Sequence, residues 1–256
     1  MKRLSILVTL LFLFPLLVSS QQITDDPEAR KIFEELDRRR EQITWEKSDM
    51  KMVIYDSRGR TRNRSIQSYN YNEGSISKSL LIFESPANVK GTAFLTIDQG
   101  KEELQKLFLP ALNKVQIISA SEKSDRFMGS DFTYEDLGDQ DPEDYVFELK
   151  EQRDTSFVLL ARKTEKSQYD RLIFYIDSEK YAIQRVEYFD VQDAMIKRLV
   201  ASDYQQVLEE VWRPNAMVMY DLENDRKTEL AWSNRVIGEP IPEWRFTERG
   251  LRRGVR

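Results

Sequence analysis

A mainly β domain with one leading helix is predicted by three features of the 256-residue sequence. From Trp45 onward apolar residues recur at period two rather than 3.6. On the order of twelve such runs appear at spacings of roughly 8–15 residues, separated by turns built from Asp, Asn and Ser. No stretch of helical periodicity intervenes between runs, so βαβ units and a parallel sheet are not expected.

Residues 1–20 form a different kind of sequence. Lys2 and Arg3 precede an apolar run from Leu4 to Val18, and Val18 and Ser20 are small enough for a signal-peptidase site. The run is shorter than the ~20 residues a bilayer span requires. Cleavage after Ser20 is expected, leaving residues 21–256 as one domain in the periplasm; loss of Lys2 and Arg3 takes the net charge from −5 to −7. The helix should run from Asp25 to Ile43. Thr24, Asp25 and Asp26 offer capping oxygens, Pro27 suits the first turn, and Ile32, Phe33, Leu36 and Ile43 share a face.

Strands follow at Met50–Tyr55, Arg60–Tyr71, Lys78–Glu84, Thr92–Asp98, Leu104–Leu109 and Lys114–Ser119. Alternation lapses from Ala120 to Asp141, a loop with a short helical turn. It resumes at Tyr145–Lys150, Ser156–Lys163, Tyr169–Asp177 and Tyr181–Phe189, then at Met195–Ala201, Tyr204–Trp212, Ala216–Tyr220 and Lys227–Ser233. One or two helical turns within Ile241–Leu251 end the chain.

Composition narrows the chemistry. The sequence contains neither histidine nor cysteine. A Ser-His-Asp or Cys-His catalytic set, a thiolate or imidazole zinc site and a disulfide framework are therefore impossible. No lipid-modifiable cysteine follows the leader. The acidic balance argues against nucleic acid. No cofactor and no metal is implied, and the expected protein is a monomer that is not an enzyme.

Several strands are apolar on both faces, as in Leu80-Leu81-Ile82-Phe83 and Leu107-Phe108-Leu109. Two readings fit: a sandwich packed sheet on sheet, or a sheet with one face toward a hollow that accepts hydrocarbon. The residues expected to line such a hollow are Met50, Met52, Ile54, Leu80, Ile82, Phe94, Leu107 and Leu109, with methionine supplying adaptable contacts. Arg58, Arg60, Arg62 and Arg64 recur every second residue and would share a face; Arg60, Arg62 and Arg64 are candidates for a head group or acidic partner, against the plainer reading of a solvated strand face. The clusters Asp131, Glu135, Asp136 and Asp139, Asp141, Glu143, Asp144 match no calcium loop, and solvated loop is the reading preferred over paired carboxylates that cleave glycosides.

Three blocks carry a resemblance. Phe83-Glu84-Ser85-Pro86 with Val89-Lys90-Gly91-Thr92-Ala93-Phe94-Leu95, then Leu107-Phe108-Leu109-Pro110-Ala111-Leu112-Asn113-Lys114-Val115, then Phe127-Met128-Gly129-Ser130-Asp131-Phe132-Thr133-Tyr134-Glu135-Asp136-Leu137, resemble in order and spacing the LolA-like outer-membrane lipoprotein-sorting proteins. The closing Trp244–Leu251 segment fits as well. Where the family has Trp-Leu-Tyr before Leu-Pro and an arginine after the valine, this chain has Gln105-Lys106-Leu107-Phe108 and Gln116-Ile117. The resemblance implies an open, strongly curved antiparallel half barrel closed by helices over an apolar cavity. It implies a periplasmic carrier of lipidated proteins, with an inner-membrane transporter as donor and an outer-membrane acceptor; some relatives resemble accessories of envelope lipid exporters. It places Phe127, Met128, Gly129 and Ser130 at the cavity mouth. A protein-interaction module of the envelope is the competing class.

Overall fold

A computed structural model describes residues 24–253 apart from 101 and 139. The expected leader at residues 1–20 lies outside the described residues.

Helix α1 (Pro27–Glu41) starts where the capping residues placed it. The Asp26 carboxylate accepts from the backbone N–H of Glu28 and Ala29, Glu28 sits at the positive end of the helix dipole, and Arg38, Arg39 and Arg40 sit at the negative end. Ala29, Ile32, Phe33 and Leu36 are buried.

Thirteen strands follow among the described residues: β1 (Trp45–Tyr55), β2 (Thr61–Glu73), β3 (Ile76–Ser85), β4 (Ala93–Asp98), β5 (Glu103–Leu109), β6 (Lys114–Ile117), β7 (Tyr145–Arg153), β8 (Ser156–Lys163), β9 (Arg171–Asp177), β10 (Ala182–Phe189), β11 (Met195–Leu208), β12 (Val211–Asp221) and β13 (Arg226–Ile237). They form one open antiparallel sheet in the order β6-β5-β4-β3-β2-β1-β13-β12-β11-β10-β9-β8-β7. Each strand neighbours the next in sequence except β6, whose successor β7 lies at the opposite edge, and at the centre β1 pairs with β13. Two hairpin meanders thus meet at one long-range seam. The connection from β6 to β7 crosses the inner face, and α2 (Glu248–Arg253) closes the chain on the outer face.

The region read as three strands between Met195 and Tyr220 is two long ones. Asp203 adopts φ +53° without shifting the register, since Ser202 still pairs with Ala216 and Tyr204 with Pro214. The reversal comes at Glu209-Glu210. Pro214 is tolerated because β12 pairs with β13 only from Ala216 onward, so its missing N–H leaves no partner unsatisfied there.

Two apolar clusters lie on opposite faces. The larger joins α1, the inner face and the β6–β7 loop; the smaller packs Tyr69, Leu80, Ile82, Leu95 and Phe108 against Ile241, Phe246 and Leu251 of the C-terminal segment.

Candidate functional site

The inner face is assembled by pairing. Met50 lies opposite Ile66 and Trp232, Met52 opposite Leu230, and Leu230 opposite Met217. Leu81, Phe94 and Leu107 align across β3, β4 and β5. Since alternate residues point the same way, these side chains form one continuous apolar surface.

Six of the residues expected to line a hollow, Met50, Met52, Ile54, Phe94, Leu107 and Leu109, sit in this inner cluster. Leu80 and Ile82 do not. They point to the outer face and pack under the C-terminal segment, while Leu81 and Phe83 take the inner positions. Four consecutive apolar residues carry no alternation, and a register one residue off exchanges the faces.

Two elements cover the inner face and fill it. Phe33 of α1 stacks among Tyr145, Phe147 and Phe174, with ring centroids 6.1, 4.7 and 5.1 Å away. From the β6–β7 loop, Phe127 and Tyr134 meet Phe94 at 5.0 and 5.5 Å. Phe127 and Ser130, expected at a cavity mouth, are fully buried. The block works as a plug rather than a rim. Met128 and Gly129 at φ +50° and +74° make the sharp turn that delivers it, and a side chain at Gly129 would be strained in that backbone conformation.

Polar latches fix the loop. Arg64 donates to the Met128 carbonyl at 2.8 Å, and Arg62 and Arg226 donate to that of Gly129 at 3.3 and 3.1 Å. Asp131, wholly buried, is paired with Arg126 at 2.6 Å and Arg226 at 3.0 Å, accepts from the Thr228 hydroxyl at 2.7 Å, and donates its N–H back to that oxygen. Arg126 also pairs with Asp221. Farther along, Asp136 accepts from Tyr169 at 2.7 Å and Lys197 at 3.1 Å. Burial, reinforced by the Asp136 charge, holds the Tyr169 hydroxyl well above its ordinary value. Arg64 is lowered, first by burial and then by Arg62.

This arrangement corrects two expectations. The arginine stripe is broken up: Arg60 is a surface residue tied to Asp56, Arg62 is exposed and reaches the Gly129 carbonyl at 3.3 Å, and Arg64 is buried against the chain's own loop. Asp131, Glu135 and Asp136 are not solvated. Each is engaged by neighbouring cations or donors, Glu135 by Ser167, Gln168 and Lys163. Asp139 lies outside the described residues.

Toward the other end of the strands the inner face turns polar. Glu46, Asn70, Ser79, Thr96 and Gln105 stand opposite one another in a row across β1 to β5. Four residues, or about 13 Å of strand, separate Glu46 from Met50. Arg213 and Arg235 lie over Glu46, with their Nε atoms 3.2 and 2.9 Å from its carboxylate. Here a cavity of about 250 Å³ opens. The row escapes sequence reading because its members lie on five different strands, and Arg213-Pro214-Asn215 reads as a break between strands.

A solved structure of a putative outer membrane lipoprotein-sorting protein domain from Vibrio parahaemolyticus is 31% identical, with a TM-score of 0.84 over 88% of this chain and 98% of that one. The chain belongs to the LolA-like family of outer-membrane lipoprotein-sorting proteins. A family model described only as an uncharacterized protein matches residues 75–253. The LolA-like fold recurs in a DUF1329 family protein from Desulfovibrio piger, 24% identical with a TM-score of 0.82 over 89% of this chain and all of that one. It recurs again in a LolA superfamily protein from Nitrosomonas europaea, 19% identical with a TM-score of 0.68 over 86% and 97%. No curated protein matches significantly. In this LolA-like chain the half barrel is a thirteen-stranded open sheet whose inner face is occupied by its own α1 and loop.

Proposed function

We propose that this LolA-like protein is a periplasmic carrier that holds the acyl chains of a lipoprotein, or of a similar lipid, against the inner face of its sheet. The observation that carries this reading is the apolar surface from Met50 to Met219, covered by elements that belong to no sheet ladder. Phe33 and Leu36 fill the volume that hydrocarbon would take, so loading is an exchange: a chain enters as the helix face leaves. Burial of an acyl chain of ~14 carbons is worth roughly 10 kcal/mol before ordering costs. Most of it is offset by exposing the helix face, which leaves binding reversible and release attainable by a partner with a better site. Such work needs no catalytic group. Delivery between an inner-membrane donor and an outer-membrane acceptor, after removal of residues 1–20, completes the reading.

Mass spectrometry of extracts from gently purified protein should find acylated lipid or lipopeptide. An environment-sensitive hydrophobic dye should bind and be displaced by acylated peptide. Clean protein that takes up neither dye nor any acylated ligand would sink the proposal.

A further inference from the structure

The polar end of the inner face gathers guanidiniums whose terminal nitrogens are not all bound by its own residues. Three guanidiniums, Arg40, Arg213 and Arg235, border the 250 Å³ cavity with Glu46, and Glu46 is shared by two of them. Arg235 is fully committed: its terminal nitrogens donate to Asn215 at 3.1 Å and to the Pro214 carbonyl at 2.9 Å, and its side chain is 6% exposed. Arg213 is not. It touches Glu46 through Nε alone, and among the described residues its terminal nitrogens make no hydrogen bond. Burial, together with Arg40 and Arg235 and against the pull of Glu46, disfavours its charge. A half-buried guanidinium, 19% exposed, whose terminal nitrogens bind nothing among the described residues has donors to offer an added oxyanion.

A second observation points the same way. Thr96 is 4% exposed, borders the cavity, and its hydroxyl has no hydrogen-bond partner. Met217 and Trp232 form the cavity wall toward Met50 and Leu230. A neighbouring hollow of about 60 Å³ is bordered by Asp37, Glu41, Asp98 and Asp141 and shares Arg40 and Arg213. Arg40 pairs with Asp37 at 3.8 Å and so leans to that acidic side, which leaves Arg213 and Thr96 as the donors proposed for the anion, with Lys78 a further cation on the cavity wall. The cavity is smaller than the roughly 300–1,000 Å³ of whole-ligand sites, and suits a head group rather than hydrocarbon.

We propose that this cavity seats the oxyanion head, phosphate or carboxylate, of an anionic amphiphile, whose chain then runs past Trp232 and Met217 toward the apolar end. The inference refines the carrier reading and rests on it for the chain, though not for the head.

Titrations below micellar concentrations compare a myristoyl lysophosphatidylglycerol, myristate and neutral monomyristoylglycerol, with glycerol 3-phosphate as a head group alone. Either or both anionic amphiphiles should bind about tenfold or more tighter than the neutral one. Arg213→Gln and Thr96→Val, checked as folded by circular dichroism, should each shrink that preference. The Thr96 change removes no existing contact, so it keeps the test open if the arginine variant fails to fold. Which anion wins identifies phosphate or carboxylate. Equal affinity for all three amphiphiles, unchanged in both variants, overturns the inference and leaves the carrier reading standing. Glycerol 3-phosphate binding that depends on Arg213, without uptake of any amphiphile, keeps the anion seat and removes the carrier. Binding of none of the four probes overturns both.

Discussion

The two covers of the inner face are held by different physics. Helix α1 adheres through an apolar face, Ala29, Ile32, Phe33 and Leu36, and through polar ties at its two ends. At the start the Asp25 carboxylate accepts from Phe147 N–H at 2.9 Å and Arg30 donates to the Pro142 and Tyr145 carbonyls. At the end Arg38 pairs with Glu210 and Arg39 donates to the Glu179 carbonyl, both at 3.1 Å on the exposed side. The loop from Arg126 to Leu137 is bound by directional ion pairs and hydrogen bonds to β2, β11, β12 and β13. Apolar adhesion is indifferent to its partner, so on the proposed carrier reading hydrocarbon substitutes for the helix face. Buried ion pairs accept only one geometry, and breaking them strands charge. In the proposed exchange the helix is the cover that leaves and the loop the one that stays.

The contrast fails first at Asp131. Asp131→Ala leaves Arg226 and Arg126 facing a buried gap, and should cost about 3–5 kcal/mol of stability by urea unfolding. A loss below 1 kcal/mol would mean the loop is not latched. Phe33→Ala should cost about 3 kcal/mol, yet increase hydrophobic dye uptake by folded protein, because it vacates volume beside Phe147 and Phe174. Unaltered uptake would place the exchange elsewhere. Thr228→Val removes the hydroxyl that serves both the N–H and the carboxylate of Asp131, and should cost about 1–3 kcal/mol without raising dye uptake.

Acid gives the gentlest probe. Asp25 is lowered chiefly by Arg30, Asp26 by the N–H groups of Glu28 and Leu149, and Glu35 to about 2 by Arg38 and Arg39. Folded values below the unfolded ones mean that this stabilisation is complete above about pH 5 and is lost as pH falls toward 2. Amide exchange across residues 27–41, corrected for intrinsic rate, should therefore quicken in that window. Protection unchanged at pH 3 would show that the apolar face alone holds α1.

Local order was legible from local pattern. The cap at Asp26 and Pro27 fixed the helix start, and alternation found every strand from β1 to β10. What failed depended on pairing across strands. Leu80 and Leu81 are chemically alike, and only their partners on β2 and β4 decide which faces inward. The spacing of Arg62 and Arg64 correctly placed them together, but their acceptors lie more than sixty residues away on the loop. The polar row around Thr96 likewise exists only once five strands are in register, which no single strand announces.

The seam between β1 and β13 joins segments at opposite ends of the sequence, while every other pairing forms between neighbours. During refolding both meanders are free to assemble early, and the molecule waits on one long loop closure at its centre. Until then β1 presents eleven residues of open backbone. A chain cut before Arg226 therefore ends as two half-sheets with an unguarded edge, poised to recruit another copy rather than to fold.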